Sequence, residues 1–266
     1  MLSPRLDIHS PERQIRNLPL FKAGRLLAEF IRAIFILWIL FPRLDRPQRL
    51  DHGRRWAQRI LLILGIEIQC DGVSMPAGAG LVVSNHLSWL DILVIQSLMP
   101  AVFVAKAEVR GWPLIGWMAH SCATIFVNRS SRVSAREMAD SAASLIEQGF
   151  SVVAFPEGTS GDGRDLGTFH SNIFEGAIKT GALVQPVTLK HLHGLTGMPT
   201  TAAIYIDDMT LMDSLKNVLA TSNLIIQVHL GDCIASAGHG RKSLAQHAHQ
   251  SIRDQLLTPA RQTSHR

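Results

Sequence analysis

Cysteine is scarce in this chain of 266 residues. Cys70, Cys122 and Cys233 are the complete set, and no two of them have the CxxC spacing. An odd, scattered set predicts neither a disulfide framework nor a zinc knuckle, and it fits a reducing cytosolic setting. The first twenty residues carry three prolines and several charges but no apolar core, so we expect no secretory signal peptide there.

Charged residues are also few. They make up 18% of the chain, whereas 47% is hydrophobic and the mean hydropathy is +0.16, which favours contact with lipid. The formal net charge is +5, and basic residues crowd the first third of the chain: Arg25, Arg32, Arg43, Arg46, Arg49, Arg54, Arg55 and Arg59. Apolar runs rather than stacking aromatics separate these arginines, so we expect anionic lipid and not nucleic acid as a partner. A solvated basic face is the alternative.

The longest apolar run covers residues 23–41 and is interrupted by Arg25, Glu29 and Arg32. Its uncharged part is shorter than the roughly 20 apolar residues that cross a bilayer, so it predicts a helix in the membrane interface. A helix that spans the bilayer is the alternative if the arginine side chains extend their charged ends to the interface. We therefore expect a basic, membrane-associated helical region at 1–59, an α/β domain at 60–258 and a flexible tail at 259–266.

Short β-branched runs alternate with helical stretches after residue 60. Predicted strands cover residues 66–70, 81–84, 102–105, 124–127, 152–155, 183–189, 203–206 and 224–230. Predicted helices cover residues 89–98, 114–120, 133–148, 173–179, 211–220 and 243–257. This alternation predicts an α/β fold with a largely parallel sheet flanked by helices.

The segment NHLSWLD, residues 85–91, lies where a predicted strand gives way to a helix. A neutral His86 can accept a proton from a substrate hydroxyl, and Asp91 can orient it if His86 precedes the helix and Asp91 lies in its first turn. Asp91 can instead be a helix cap in the box formed with Ser88. A second HxxxxD match, His249 to Asp254, lies in a polar helix, and we interpret it as accidental.

Three further features lie after predicted strands. FPEGTSGDGRD, residues 155–165, follows one strand, and its glycines allow close approach of a ligand to the backbone; a surface turn is the alternative. Lys106 and Arg129 follow two others and would converge on one sheet edge, where Arg suits phosphate. His191 and His193 alternate near the end of a strand, but no acidic or cysteine ligands accompany them, so we predict no metal site.

Together these segments resemble the glycerolipid acyltransferase family, which includes the lysophosphatidic acid acyltransferases. The resemblance covers about residues 60–195. Four motifs appear in the order of that family: Asn85-His86 with Asp91, TIFVNR ending in Arg129, FPEGT at residues 155–159, and LVQPVTL containing Pro186.

This resemblance implies that His86, oriented by Asp91, deprotonates the acceptor hydroxyl. That oxygen then attacks the thioester of acyl-CoA or acyl-carrier protein directly, without a cofactor or metal. The resemblance implies binding of the lysolipid acceptor by Asn85, Lys106, Arg129, Glu157, Gly158 and Thr159, with backbone amides near Gly158 at the oxyanion. It also implies a location on the cytoplasmic face of the inner membrane.

One departure concerns the acceptor. Many members that use a phosphate acceptor have arginine after FPEGT, whereas this chain has Ser160 with Asp162 close by. The expected product is phosphatidic acid from 1-acyl-sn-glycerol-3-phosphate, and acylation of lyso-ornithine lipid is the alternative. A non-catalytic lipid-binding protein is a second alternative. A serine hydrolase is disfavoured because no GxSxG motif is present.

Overall fold

The computed structural model describes residues 19–73, 79–128, 132–206 and 209–259. The helices are α1 (Pro19–Phe35), α2 (Arg46–Leu64), α3 (Leu90–Leu98), α4 (Ile115–Ser121), α5 (Arg132–Glu147), α6 (Phe174–Thr180), α7 (Leu211–Ala220) and α8 (Arg241–Leu257). The strands are β1 (Glu67–Gly72), β2 (Leu81–Ser84), β3 (Ala101–Lys106), β4 (Ile125–Val127), β5 (Ser151–Ala154), β6 (Leu183–His193), β7 (Leu224–Leu230) and β8 (Ile234–Ala235). Short 3-10 or π turns cover Ile36–Leu40, Phe41–Arg43, Ala107–Gly111 and Ser171–Ile173.

These strands form one sheet in the order β1-β7-β6-β2-β5-β3-β4, with β8 paired to β6. The pairs are parallel except β6 with β7 and β6 with β8. The predicted α/β fold with a largely parallel sheet is therefore confirmed. Because β2 lies between β5 and β6, the loops that follow β2 and β5 emerge side by side at one edge.

Both faces of the sheet are covered. Along the wholly buried strand β2, Val82 packs into one apolar cluster with Leu61 of α2 and Val94 of α3. Leu81 and Val83 point to the other cluster, which contains residues of α5, α6 and α8. A strand buried on both faces explains the uninterrupted apolar run before the NHLSWLD segment.

The N-terminal helices pack against each other and against the domain. α2 begins with a capping box between Asp45 and Gln48, and it ends at Gly65 with φ +75°. It runs without a break through the predicted boundary at residue 60, and Leu61 and Leu64 belong to the core. Within the described ranges, none of the helices is both long enough and apolar enough to cross a bilayer.

The predicted strand at 203–206 is wrong. The N–H of Ile204 closes a turn on the carbonyl of Thr201, and the N–H of Tyr205 donates to the carbonyl of Leu87 at 2.9 Å. These donors are satisfied by a turn and by a loop rather than by a neighbouring strand. The alternating apolar pattern instead buries Ala203 and Ile204 against the domain.

Candidate active site

His86 and Asp91 lie in contact at the carboxyl end of β2. His86 precedes α3, and Asp91 is in the first turn of that helix, which is the arrangement that the spacing required. The Nδ1 atom of His86 is 2.9 Å from Oδ2 of Asp91. This contact favours the tautomer with its proton on Nδ1, which leaves Nε2 as the basic atom. In the described part of the chain nothing hydrogen-bonds that Nε2, and 19% of the side chain is exposed.

The Asp91 carboxylate is fully buried and surrounded by donors. Its Oδ2 also accepts the backbone N–H groups of Leu87 at 2.5 Å and Ser88 at 2.8 Å. Its Oδ1 is 2.9 Å from Nε2 of His191. Burial alone would raise the pKa of Asp91, but the hydrogen bonds from His191 and His86 outweigh it and hold that pKa well below its usual range. Asp91 is thus both a backbone cap and a partner of His86.

Asn85 fixes the register of this loop. Its side-chain amide donates to the carbonyl of Leu189 at 3.0 Å and accepts the N–H of Leu189 at 2.8 Å. The amide therefore extends the pairing of β2 with β6 by one step. The sequence predicts that Asn85 binds substrate. In the structure Asn85 is buried, and its side-chain amide is hydrogen-bonded to the backbone of β6.

The loop after β5 supports the loop after β2. The ring of Phe155 stacks on His86 with centroids 4.1 Å apart. Glu157 accepts the N–H of His86 at 2.8 Å and that of Gly167 at 2.8 Å. Burial raises the pKa of Glu157, and these two N–H groups offset part of the effect. Glu157 thus contacts the backbone of His86 rather than an open surface.

Gly158 and Thr159 complete the FPEGT turn. Gly158 has φ +79°, and its N–H donates to the carbonyl of Phe155 at 3.0 Å. The resemblance implies backbone amides near Gly158 at the oxyanion, and in the structure the N–H of Gly158 itself closes the turn on Phe155. Thr159 is exposed at the rim of the site.

A segment that sequence reasoning missed joins the two loops. Tyr205 donates its N–H to Leu87, and its carbonyl accepts the hydroxyl of Ser160. Beside it lies a cavity of about 510 Å³, lined by Asp162, Ile204 and Asn217 among others. The single tyrosine of the chain is the only sequence signal here, and residue type alone gave no reason to place it at the site.

Of the two predicted cations, Lys106 lies within the described residues. Lys106 is exposed at the end of β3, two strands from β2 in the sheet order. Arg129 lies outside the described residues. No group of three or more His, Cys, Asp or Glu residues in the described ranges could hold a metal ion. The second HxxxxD match forms no pair, since His249 packs against Phe169 and Asp254 accepts from Gln250.

Comparison with known proteins agrees with this geometry. The family model Acyltransferase matches residues 67–190, which include β2, His86, Asp91 and the FPEGT turn. A lyso-ornithine lipid O-acyltransferase of Pseudomonas aeruginosa is 35% identical over 83% of this chain and 84% of its own. A 1-acyl-sn-glycerol-3-phosphate acyltransferase of Neisseria gonorrhoeae is 32% identical over 72% of this chain and 74% of its own.

A solved structure shares the fold. The crystal structure of the 1-acyl-sn-glycerophosphate acyltransferase PlsC from Thermotoga maritima has a TM-score of 0.69 with this chain. It is 22% identical, and the match covers 92% of this chain and 96% of the other. The chain belongs to the acyltransferase family, as its motifs indicated. It is an enzyme of lipid biosynthesis that transfers an acyl group.

Proposed function

We propose that this acyltransferase moves a fatty acyl group from a thioester to the free hydroxyl of a lysolipid, with His86 as the general base. The observation that carries the proposal is the 2.9 Å contact between Nδ1 of His86 and the buried Asp91 carboxylate. It fixes the imidazole with Nε2 unprotonated, and the carboxylate stabilises the imidazolium that forms.

The steps follow from that tautomer. Nε2 of His86 takes the proton of the acceptor hydroxyl as its oxygen attacks the thioester carbonyl. The tetrahedral intermediate collapses with cleavage of the C–S bond, and the imidazolium returns the proton to the leaving thiolate. The products are an ester and the free thiol of coenzyme A or acyl-carrier protein. No acyl-enzyme forms, because the base activates the acceptor oxygen itself.

The acceptor that we favour is lyso-ornithine lipid. Ser160 follows FPEGT, and its hydroxyl donates to the carbonyl of Tyr205. This position therefore offers no cation to a phosphate. The neighbouring cavity is lined by Asp162, and none of its described lining residues is basic. The single carboxylate of this described lining, which Arg164 approaches at 3.7 Å, suits the ammonium of an ornithine headgroup better than a phosphate dianion. The 35% identical relative from Pseudomonas aeruginosa supports the same acceptor.

Lysophosphatidic acid is the second candidate. Lys106 is exposed at the same edge of the sheet and offers a cation to a phosphate. The relative from Neisseria gonorrhoeae, which is named for this acceptor, is 32% identical. Lys106, together with Arg129 as the sequence predicts, would bind a phosphate without the third cation that Ser160 replaces, so we expect weaker use of this acceptor.

We further propose that α1 and the turn after it rest on the cytoplasmic surface of a membrane. Apolar side chains are exposed along one helical face: Leu20, Leu27, Ile31, Ile34, Phe35 and Trp38. The opposite face is buried and includes Lys22, which donates to the carbonyl of Leu64, and Glu29, which pairs with Arg32. Such an outward apolar face suits a helix in the interface.

The arginines of this region contribute less than their number suggests. Arg54 and Arg55 pair with Asp51, while Arg59 lies 3.7 Å from Glu29. Paired surface charges attract anionic lipid less strongly than free ones. The apolar face is therefore expected to provide most of the binding energy, with anionic lipid as a secondary effect.

The test is identification of the product. Purified enzyme is supplied with acyl-CoA or acyl-carrier protein and with both lysolipids in mixed vesicles, and the products are resolved by lipid mass spectrometry. We expect acylated ornithine lipid as the main product and phosphatidic acid as the minor one. Absence of any acylated lysolipid would refute the activity, and a dominant phosphatidic acid signal would reverse the order of the acceptors.

A further inference from the structure

His191 belongs to β6, yet it reaches the loop after β2. β6 pairs with β2 in parallel, and the Asn85 amide fixes that register at Leu189, two residues before His191. Two residues along a strand return a side chain to the same face. His191 therefore projects at the level of Asp91, and its side chain is 1% exposed.

The two histidines occupy different oxygens of one carboxylate. His86 Nδ1 contacts Oδ2 of Asp91, and His191 Nε2 contacts Oδ1, both at 2.9 Å. Because Asp91 accepts through both oxygens, rotation of its carboxylate about χ2 breaks at least one of these bonds. The plane of the carboxylate is thereby fixed, with Oδ2 directed at His86.

The other nitrogen of His191 has no such contact. Its Nδ1 is buried, and no hydrogen-bond partner for it exists among the described residues. Leaving a buried polar atom unpaired is unfavourable, and an apolar residue would fill the same space without that penalty. The one polar contact that this imidazole makes with the described part of the chain is the bond to Asp91, so that bond is the physical reason for a histidine here.

We propose that His191 is a positioning residue that holds Oδ1 of Asp91 and so presents Oδ2 to the catalytic His86. The proposal rests on the proposed function of the His86–Asp91 pair. His191 does not touch the acceptor or the thioester in this arrangement, since Asp91 lies between it and His86.

The hydrogen bond from His191 to Asp91 also changes how strongly Asp91 interacts with His86. A donor on Oδ1 draws charge from Oδ2, so Asp91 stabilises the His86 imidazolium less than an unshared carboxylate would. Loss of this donor therefore strengthens the interaction of Oδ2 with the His86 imidazolium, whether His191 is neutral or protonated. The other titratable group that faces the pair in the described ranges is Glu157, which accepts the backbone N–H of His86 and is unchanged by the substitution.

Three substitutions at His191 separate the donor from the packing. His191→Leu removes the donor with similar volume, and His191→Asn keeps a polar group that is too short to reach Asp91. His191→Gln places an amide N–H near the position of Nε2 and restores the donor. His193→Leu is the control, because His193 lies on the same strand and contacts Thr196 instead.

Steady-state rates are measured as a function of pH, with thermal unfolding as the check on folding. We expect His191→Leu and His191→Asn to lower kcat by about 10- to 100-fold, as for a displaced catalytic group, with KM nearly unchanged. The acid limb of their pH profiles should move to higher pH. His191→Gln should recover most of kcat and the wild-type limb, and His193→Leu should match the wild type.

The outcomes distinguish the two hypotheses. Wild-type kcat and an unmoved acid limb in folded His191→Leu and His191→Asn proteins overturn the inference, as does a loss of rate that follows only a loss of folded protein. If His191→Leu does not fold, His191→Asn decides on the same criteria. Full activity in a folded His86→Ala protein overturns the proposed base itself, and the role of His191 with it.

Discussion

Glu157 holds the backbone of His86 from the neighbouring loop. One carboxylate oxygen accepts the N–H of His86 at 2.8 Å, and the other accepts the N–H of Gly167 at 2.8 Å. A Cβ on residue 167 would come within 2.9 Å of that second oxygen, so a larger residue there would displace the Glu157 carboxylate. The FPEGT motif thus acts on the histidine through its main chain, in addition to any contact with substrate.

Substitution of Glu157 should therefore affect stability as well as rate. Glu157→Ala leaves two backbone N–H groups without their acceptor and should lower the free energy of unfolding by about 1–3 kcal/mol. Glu157→Gln keeps one acceptor oxygen and should cost less. Urea unfolding measures both, and unchanged stability in Glu157→Ala would contradict the bridging role.

The Glu157→Gln protein also gives a pH test. Burial raises the pKa of Glu157 in the folded state, so the folded protein binds this proton more tightly than the unfolded chain. The stability of the wild type relative to Glu157→Gln should then increase as pH falls from neutral towards the ordinary pKa of glutamate. If the wild type instead gains stability relative to Glu157→Gln as pH rises, folding lowers the pKa of Glu157 rather than raising it.

The two HxxxxD matches provide a matched comparison. His86→Ala should lower kcat by about 10²–10⁴-fold, because it removes the general base. Asp91→Asn should lose much of the rate, since one amide oxygen cannot accept from both histidines. His249→Ala removes a histidine of the same spacing whose ring packs against Phe169, away from Asp91, so it should be fully active. Equal rates for His86→Ala and the wild type would exclude the mechanism.

The exposed face of α1 predicts lipid binding. Leu27 and Trp38 are 64% and 70% exposed. Burial of such a side chain is worth about 1.5–3 kcal/mol, so Leu27→Ser with Trp38→Ser should weaken partition into vesicles of phosphatidylcholine and phosphatidylglycerol at least about tenfold. Leu257→Ser, which changes an equally exposed leucine on α8, is the control. Equal sedimentation of all three proteins with vesicles would argue against this face.

Ser160 tests the choice of acceptor. Ser160→Arg breaks the bond to Tyr205 and adds a cation beside Asp162, so it should shift the product ratio towards phosphatidic acid by up to about tenfold. Ser160→Gln breaks the same bond without adding charge and should leave the ratio near the wild-type value. A competition assay with both lysolipids measures the ratio. Equal ratios in both variants would show that this position does not influence the headgroup.

The local pattern of apolar and polar residues was sufficient to predict the strand and the helix that flank the site. The apolar run at β2 and the junction before α3 were predicted within a residue, because a short uninterrupted apolar run that ends in polar residues favours a strand buried on both faces. The segment at 203–206 has a similar apolar pattern but forms no strand. Its partner is the catalytic loop, which is far away in sequence, and periodicity carries no information about such a partner.

The sequence by itself determined the α/β fold and the family, and its local spacing made the pairing of His86 with Asp91 one of two interpretations, the other being a helix cap for Asp91. The tertiary structure alone decided that Asn85 completes the pairing with β6, that Glu157 holds the His86 backbone and that His191 reaches Asp91. His191 and Asp91 are 100 residues apart in the chain. Their contact depends on the order of strands in the sheet, and the spacing of residues within one segment cannot specify that order.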